Sequence, residues 1–149
     1  MRVALQEAAK AFRKKEVPVG AVVVYEDKII GRGHNQTESL RDATAHAEIL
    51  AIGAAANYLN SWRLSDTVLY VTLEPCPMCA GAMVLSRIKK LVFGAYDPKT
   101  GACGSLYNII QDKRLNHQVE VVPEVLKEEC SALLQAFFKE RRGEKDEPK

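Results

Sequence analysis

The sequence has no long hydrophobic run, no excess of one charge and few cysteines, and each absence excludes a class of protein. Its longest apolar stretches fall far short of the ~20 residues needed to cross a bilayer, and its N-terminus does not have the pattern of a secretion signal. The formal net charge is only +2, so overall charge does not indicate a nucleic-acid-binding protein. We therefore expect a soluble, cytoplasmic protein.

The four cysteines indicate metal binding or catalysis more than a disulfide framework, because the chain is long and we expect it not to be secreted. Hydrophobic residues make up 47% of the 149 residues, which is enough to bury one core without cross-links. We expect a single domain over residues 1–142 and a disordered tail over residues 143–149.

Hydrophobic periodicity predicts helices alternating with strands along this domain. Helices are expected over residues 3–15, 44–59, 77–87 and 105–110, and a last helix is expected to start at Pro123. A hairpin is expected over residues 19–35, and further strands over residues 67–73, 90–96 and 117–122. The expected fold class is α/β, with a three-layer α/β/α sandwich around a central five-stranded mixed sheet.

Cys76 and Cys79 lie in the stretch TLEPCPMCAGAM, where an apolar strand gives way to an apolar helix. A closed structural zinc site needs four ligands, but Cys103 and Cys130 stand alone in the sequence. A redox dithiol is a stronger alternative, because a helix N-terminus lowers the pKa of a thiol.

The motif HAE favours a third interpretation, because a redox dithiol has no use for His46 and Glu48 at the start of the other apolar helix. H-x-E followed by P-C-x-x-C is the signature of zinc deaminases. Two thiolates and one imidazole leave the fourth tetrahedral position of zinc open for water, whose pKa falls toward about 7. Glu48 is then the candidate proton carrier. Because residues two apart in a regular helix point apart, His46 and Glu48 are expected to converge at an irregular first turn.

Longer stretches of the chain resemble the bacterial tRNA-specific adenosine deaminase family, in the cytidine and deoxycytidylate deaminase superfamily. These stretches are VPVGAVVV, GHN, TAHAEILAI, LYVTLEPCPMCAGAMVLSRI, VFGAYDPKTGACGSL, LNHQVEVV and VLKEECSALLQAFFKERR. The resemblance implies a cytidine-deaminase-like fold and a homodimer with one zinc ion per subunit. It also implies hydrolytic deamination of adenosine to inosine at the wobble position of a tRNA anticodon loop.

The resemblance further implies roles for individual residues. The residues matched to the catalytic machinery are the zinc ligands His46, Cys76 and Cys79, the proton shuttle Glu48 and the base-contacting amide Asn35. The residues matched to positions near the bound RNA are Asp97, Lys99, Phe138 and Arg141.

Simpler roles stay open for several of these residues. Asn35 suits loop closure after a strand, and Lys99 suits a solvated surface charge. Phe137 and Phe138 are adjacent on a helix and cannot both face one core, which leaves one of them for a partner or a base.

Two other functions are compatible with the same zinc core. A free nucleobase or nucleoside deaminase, of guanine or cytosine type, would share it, although the loop over residues 97–104 and the Phe-Phe-x-x-Arg-Arg segment favour RNA. A non-catalytic RNA-binding subunit is the second alternative, and the intact Glu48 argues against it.

Overall fold

The computed structural model describes residues 1–146, with side chains as far as residue 145. The helices are α1 (Arg2–Arg13), α2 (Thr37–Leu40), α3 (Ala47–Leu59), α4 (Pro77–Ser86) and α5 (Lys127–Asp146). The strands are β1 (Gly20–Tyr25), β2 (Lys28–His34), β3 (Val68–Leu73), β4 (Lys90–Ala95) and β5 (Glu120–Val122). They form one sheet in the order β2-β1-β3-β4-β5. Because β1 is antiparallel to β2 and β3, while β3, β4 and β5 are parallel, the predicted mixed five-stranded sheet is confirmed.

Helices cover both faces of this sheet. A Cβ atom at Gly20 would overlap the backbone of α1, whereas Cβ atoms at Gly31 and Gly33 would overlap the backbone of α3. Gly20 is paired with His34, so it shares a face with His34 and not with the neighbouring Gly33. α1 and α3 therefore lie on opposite faces, which confirms the three-layer sandwich.

The main core lies between the sheet, α3 and α4. Buried members include Ala47, Ala51 and Ala55 of α3, Ala80 and Met83 of α4, and Leu69, Val71, Leu91 and Phe93 of the sheet. The alanines and the strand glycines bring the backbone of α3 into close contact with β2. This close packing fixes the height of α3 above the sheet.

On the other face, α5 packs beside α1. The rings of Phe12 and Phe137 meet edge to face with centroids 5.9 Å apart, and Cys130 is buried against Gly94 of β4. Phe137 is 5% exposed and Phe138 is 43% exposed. The two adjacent phenylalanines thus divide between core and surface, as their neighbouring helical positions predict.

The predicted short helix over residues 105–110 is wrong. These residues form turns, with an isolated bridge between Cys103 and Asn108. The N–H of Ser105 donates to the side chain of Glu74. The N–H groups of Leu106 and Tyr107 donate to the carbonyl of Gly101, and that of Ile109 donates to the carbonyl of Ala102, so none of them bonds to the carbonyl four residues back as in an α-helix. A contact distant in sequence therefore overrides the local helical pattern.

The last helix differs from its predicted limits at both ends. It begins at Lys127 and not at Pro123, because Glu124 and Leu126 have φ values of 65° and 53°, which are incompatible with a right-handed helix. It continues to Asp146, past the predicted end at residue 142, and Glu144 and Lys145 within this extension favour helices. The rest of the predicted tail, residues 147–149, lies outside the described residues.

Among residues 1–146, no helix has the length and hydrophobicity of a membrane span.

Candidate active site

The HAE and PCPMC motifs meet beyond the end of β3, where α3 and α4 both begin. His46 is the N-cap of α3, with φ of −76° and ψ of 152°. Cys76 is the N-cap of α4, with φ of −75° and ψ of 173°, and Pro77 follows at the first helical position, where its fixed φ favours a helix start. Both cap residues have extended backbone, so the directions of their side chains do not follow the 3.6-residue repeat of the helices that begin after them.

His46, Cys76 and Cys79 form a set of potential metal ligands. The Nδ1 atom of His46 lies 3.5 Å from Sγ of Cys76 and 3.5 Å from Sγ of Cys79, and all three atoms lie within 4.8 Å of one another. Tetrahedral zinc bonded at about 2.3 Å to sulfur and about 2.0 Å to nitrogen would separate these atoms by about 3.5 Å. The donor atoms therefore have the spacing and the chemistry that zinc requires.

The two thiols differ in acidity. The pKa of Cys76 is lowered to about 4, chiefly by the hydrogen bond from Cys79 and also by His46, while burial opposes the change. The pKa of Cys79 is raised by the same hydrogen bond and by burial. These directions describe two sulfurs that share one proton. A bound cation favours the thiolate form of both, so metal binding would release a proton.

Glu48 lies in the first turn of α3 and is only 4% exposed. Burial raises its pKa, because the carboxylate has lost the solvation that favours its charged form. His46 has extended backbone and Glu48 is helical, so the two side chains reach the same cavity despite their spacing of two residues. The expected irregular first turn is present.

A cavity of about 260 Å³ opens beside these residues. Its lining comprises Val17, Val19, Asn35, Thr37, His46, Ala47, Glu48, Leu73, Glu74, Cys76, Asp97 and Thr100.

Asn35 is 8% exposed. Its Nδ2 donates to the carbonyl of Val17 at 3.3 Å and its Oδ1 accepts from the N–H of Thr37 at 3.3 Å. Asn35 thus closes the loop after β2 and lines the cavity at the same time.

Glu16 holds the loop on one side of the cavity, and the sequence patterns did not indicate it. Its carboxylate accepts from the N–H and hydroxyl of Ser39 at 2.6 and 2.9 Å and from the N–H of Glu38 at 3.2 Å. Burial alone would raise the pKa of Glu16, but these hydrogen bonds, with one from Thr37, together lower it.

Glu74 holds the loop on the other side and was not indicated by the sequence patterns either. It is 2% exposed and accepts hydrogen bonds from the N–H groups of Asp97, Cys103 and Ser105 and from the hydroxyl of Ser105. For Glu74 the available signal was a single acidic residue inside an apolar stretch, since a buried charge needs partners. Glu16 directly follows three basic residues, so it carried no such signal in the sequence.

The candidates for RNA contact fall into two places. Asp97 lines the cavity, and its side chain accepts from the N–H of Lys99 at 3.0 Å and from the hydroxyl of Thr100 at 2.7 Å. The other three lie along a groove between the loop after β4 and α5. We call this the basic groove; it is lined by Lys99, Leu134, Gln135, Phe138, Arg141, Arg142 and Lys145. Among the side chains that the structure describes, no acidic one lines this groove, so the described part of its lining presents a positive surface with one exposed aromatic ring.

Comparison with known proteins agrees with this arrangement. The family model of MafB19-like deaminases matches residues 1–142. The tRNA-specific adenosine deaminase of Bacillus subtilis (strain 168) is 56% identical over 145 residues, which are 97% of this chain and 90% of that protein. The tRNA-specific adenosine deaminase of Haemophilus influenzae is 53% identical, over 97% of this chain and 84% of that protein.

Solved structures of deaminases are also similar to this chain. A chain from a study of A-to-I editing by tRNA:A34 deaminases at the wobble position of transfer RNA superposes with a TM-score of 0.86 at 42% identity, covering 89% of this chain and 96% of that one. The guanine deaminase of Nitrosomonas europaea superposes with a TM-score of 0.79 at 25% identity, over 91% and 81% of the two chains. The expected deaminase fold is confirmed, and the chain belongs to the family of tRNA-specific adenosine deaminases.

Proposed function

We propose that this protein hydrolyses adenosine to inosine at the wobble position of a tRNA anticodon loop, releasing ammonia. The observation that carries the proposal is the convergence of three zinc-ligand atoms within 4.8 Å of one another beside a cavity that also contains the buried Glu48. The chain's membership of the tRNA-specific adenosine deaminase family supports the choice of base and of RNA.

His46, Cys76 and Cys79 would hold one zinc ion per subunit, which would supply water activated at neutral pH because three protein ligands leave a fourth position open. The thiolates and the imidazole fix that position relative to Glu48, since all four side chains extend from the starts of α3 and α4. Val17, Val19 and Leu73 form an apolar part of the cavity lining, which would limit the access of bulk water once a base fills the cavity.

Glu48 moves the protons. Its carboxylate takes a proton from the attacking water and delivers it to N1 of the adenine ring, and it later protonates the amine that leaves C6. The water oxygen stays on the ring as the carbonyl of inosine, and the amine departs as ammonia. Burial raises the pKa of the Glu48 carboxyl group, and a raised pKa suits a carboxyl group that must both accept and release protons.

Asn35 would orient the base. Its hydrogen bonds to Val17 and Thr37 hold the amide plane fixed. One N–H and one oxygen lone pair of this amide are left for the edge of a purine.

The basic groove favours RNA over a free base. A base in a single-stranded loop unstacks at low cost and enters a pocket, while its neighbours contact aromatic and positively charged side chains. Phe138 is the exposed aromatic residue of the groove, and Lys99, Arg141, Arg142 and Lys145 are its cations. The proposal also places the enzyme in the cytoplasm, where a tRNA substrate is present.

Lys99→Ala and Arg141→Ala should each weaken binding of an anticodon stem-loop and flatten its salt dependence. Removing one cation that neutralises a phosphate should lower the slope of log K against log salt by roughly 0.7 to 0.9. Turnover of bound substrate should change less. The measurement is fluorescence anisotropy at several salt concentrations. Lys28→Ala is the control, because Lys28 is exposed and opens β2, whereas Asn35 of the cavity follows the other end of that strand.

Substrate choice is tested by incubating the protein with total tRNA and sequencing for A-to-inosine changes, beside free adenosine, cytidine and guanine. Equal turnover of free adenosine and the stem-loop, with both groove variants unchanged, would favour a small-molecule deaminase. Binding of tRNA without any conversion would favour a non-catalytic RNA-binding subunit.

We also expect a homodimer, as the resemblance implies. Large apolar side chains are exposed near the ends of α3 and α4, with Trp62 61% exposed and Leu85 71% exposed, and association would cover such a surface. Analytical ultracentrifugation should give the mass of two chains. A protein that stays monomeric at micromolar concentration would contradict the expectation.

A further inference from the structure

Glu74 is a buried carboxylate that accepts all its hydrogen bonds from one loop. Its Oε1 accepts from the N–H of Asp97 at 2.9 Å, and its Oε2 accepts from the N–H groups of Cys103 and Ser105 at 3.0 Å each. The hydroxyl of Ser105 donates to it as well. Among residues 1–145, no cationic side chain lies within ion-pair distance of Glu74. The hydrogen bonds from this loop are therefore what stabilises the buried carboxylate of Glu74.

The same loop presents Lys99 to the basic groove. Glu74 binds the N–H of Asp97, and the side chain of Asp97 in turn binds the N–H of Lys99 at 3.0 Å. Gly101 closes the loop from the other side, because its N–H donates to the carbonyl of Asp97 at 2.9 Å. A Cβ atom at Gly101 would overlap the carboxyl group of Glu74. Two hydrogen bonds thus connect the buried carboxylate to the backbone of the groove lysine.

A carboxylate is the side chain that this arrangement requires. Four donors converge on two oxygen atoms, and a carboxylate offers lone pairs on both without carrying a hydrogen. Glutamine has nearly the same shape but would turn an NH2 group toward backbone N–H donors. Glu74→Gln therefore removes part of the contact while leaving the volume of the side chain in place.

We propose that Glu74 is a positioning residue for RNA binding, which fixes residues 97–105 so that Lys99 lies in the basic groove. The proposal rests on the proposed function, because it requires an RNA substrate. It assigns Glu74 no contact with the reacting atoms. Its effect should appear in binding, through Lys99, and not in the chemical step.

The kinetic test uses an anticodon stem-loop and the full-length, zinc-loaded enzyme. Glu74→Gln should raise KM about tenfold, as expected from the loss of one hydrogen bond that involves a charged group, and leave kcat and zinc content nearly unchanged. In a Lys99→Ala background the same substitution should have little further effect, because both changes remove one interaction. A KM effect that multiplies with that of Lys99→Ala would overturn the proposal, as would a loss of kcat alone.

Glu16→Gln is the matched control. Glu16 is also a buried carboxylate held by N–H and hydroxyl donors, but it binds residues 37–39 on the opposite side of the cavity. Any KM effect of Glu16→Gln should therefore multiply with that of Lys99→Ala, since the two sites are independent. If the KM effects of both glutamate substitutions failed to multiply with that of Lys99→Ala, the cause would be a general destabilisation of the fold. This result would count against a specific role for Glu74.

Amide hydrogen exchange tests the loop without substrate. In Glu74→Gln the N–H groups of Asp97, Cys103 and Ser105 should exchange faster, while those of β3 and β4 stay protected. If Glu74→Gln proves unstable, Gly101→Ala is the second variant, because its added Cβ atom would displace the carboxyl group of Glu74 from the loop. It should give the same change in hydrogen exchange and in KM. Unchanged exchange, or faster exchange with unchanged KM, would overturn the proposal. A parent enzyme that does not deaminate the stem-loop would refute the proposed function, and this is seen before any substitution is made.

Discussion

Replacing Glu48 by glutamine is expected to reduce deamination of the stem-loop by about 10⁴-fold, the upper end of the range for general acid–base catalysis. The reason is that one carboxyl group is assigned every proton transfer of the reaction. Its position in the first turn of α3 leaves His46, Cys76 and Cys79 in place. Zinc content should therefore remain at that of the parent enzyme.

The measurement is single-turnover deamination, together with zinc content by atomic emission. Glu38→Gln is the control, because Glu38 is an exposed glutamate of α2, on the loop beside the same cavity, and undergoes the same chemical change. Loss of zinc from Glu48→Gln, or retention of most of its activity, would remove Glu48 from its assigned role.

Replacing Cys79 by alanine is expected to abolish zinc binding and activity together and to lower stability. Cys79 is fully buried and supplies one of three ligand atoms. A metal that binds only the folded state stabilises it by about 4 kcal/mol when its free concentration is a thousand times its Kd. Loss of the metal should remove a contribution of that order, and a strong chelator should lower the melting temperature of the parent protein in the same way.

Cys130→Ala is the matched control, because Cys130 is 1% exposed and lies on the opposite face of the sheet, against Gly94. Burial raises the pKa of its thiol to about 11, so it packs as a neutral apolar group. This variant should keep its zinc and its activity. A Cys79→Ala protein with stoichiometric zinc and full turnover would contradict the ligand set.

The zinc-ligand candidates could be predicted from the sequence because their positions depend on local rules. Cys76 and Cys79 are one helical turn apart, and proline fixes the start of their helix. The expected convergence of His46 and Glu48 needed only the knowledge that an N-cap residue is not helical. Strands β1, β3 and β4 were predictable for a similar reason, since each is a short, largely apolar run.

The loops around the cavity could not be predicted in the same way. The donors to Glu74 lie 23 to 31 residues further along the chain, so nothing near Glu74 in the sequence indicates them. One of these donors, the N–H of Ser105, begins the stretch over residues 105–110, which forms turns and not the helix that its local pattern favours. At the start of α5, left-handed conformations at Glu124 and Leu126 delay the helix, although neither residue type favours such a conformation.

The contact between α3 and β2 has a consequence for the entropy of the catalytic site. Gly31 and Gly33 lie directly against the α3 backbone at Ala47, Ala51 and Ala55, and the Cβ atom of Leu50 also lies beside Gly33. Alanine and glycine have no side-chain rotamers to lose on folding. The helix that carries Glu48 therefore rests on β2 mainly through residues without rotameric alternatives, so few side-chain rearrangements at this contact are available to shift the carboxylate.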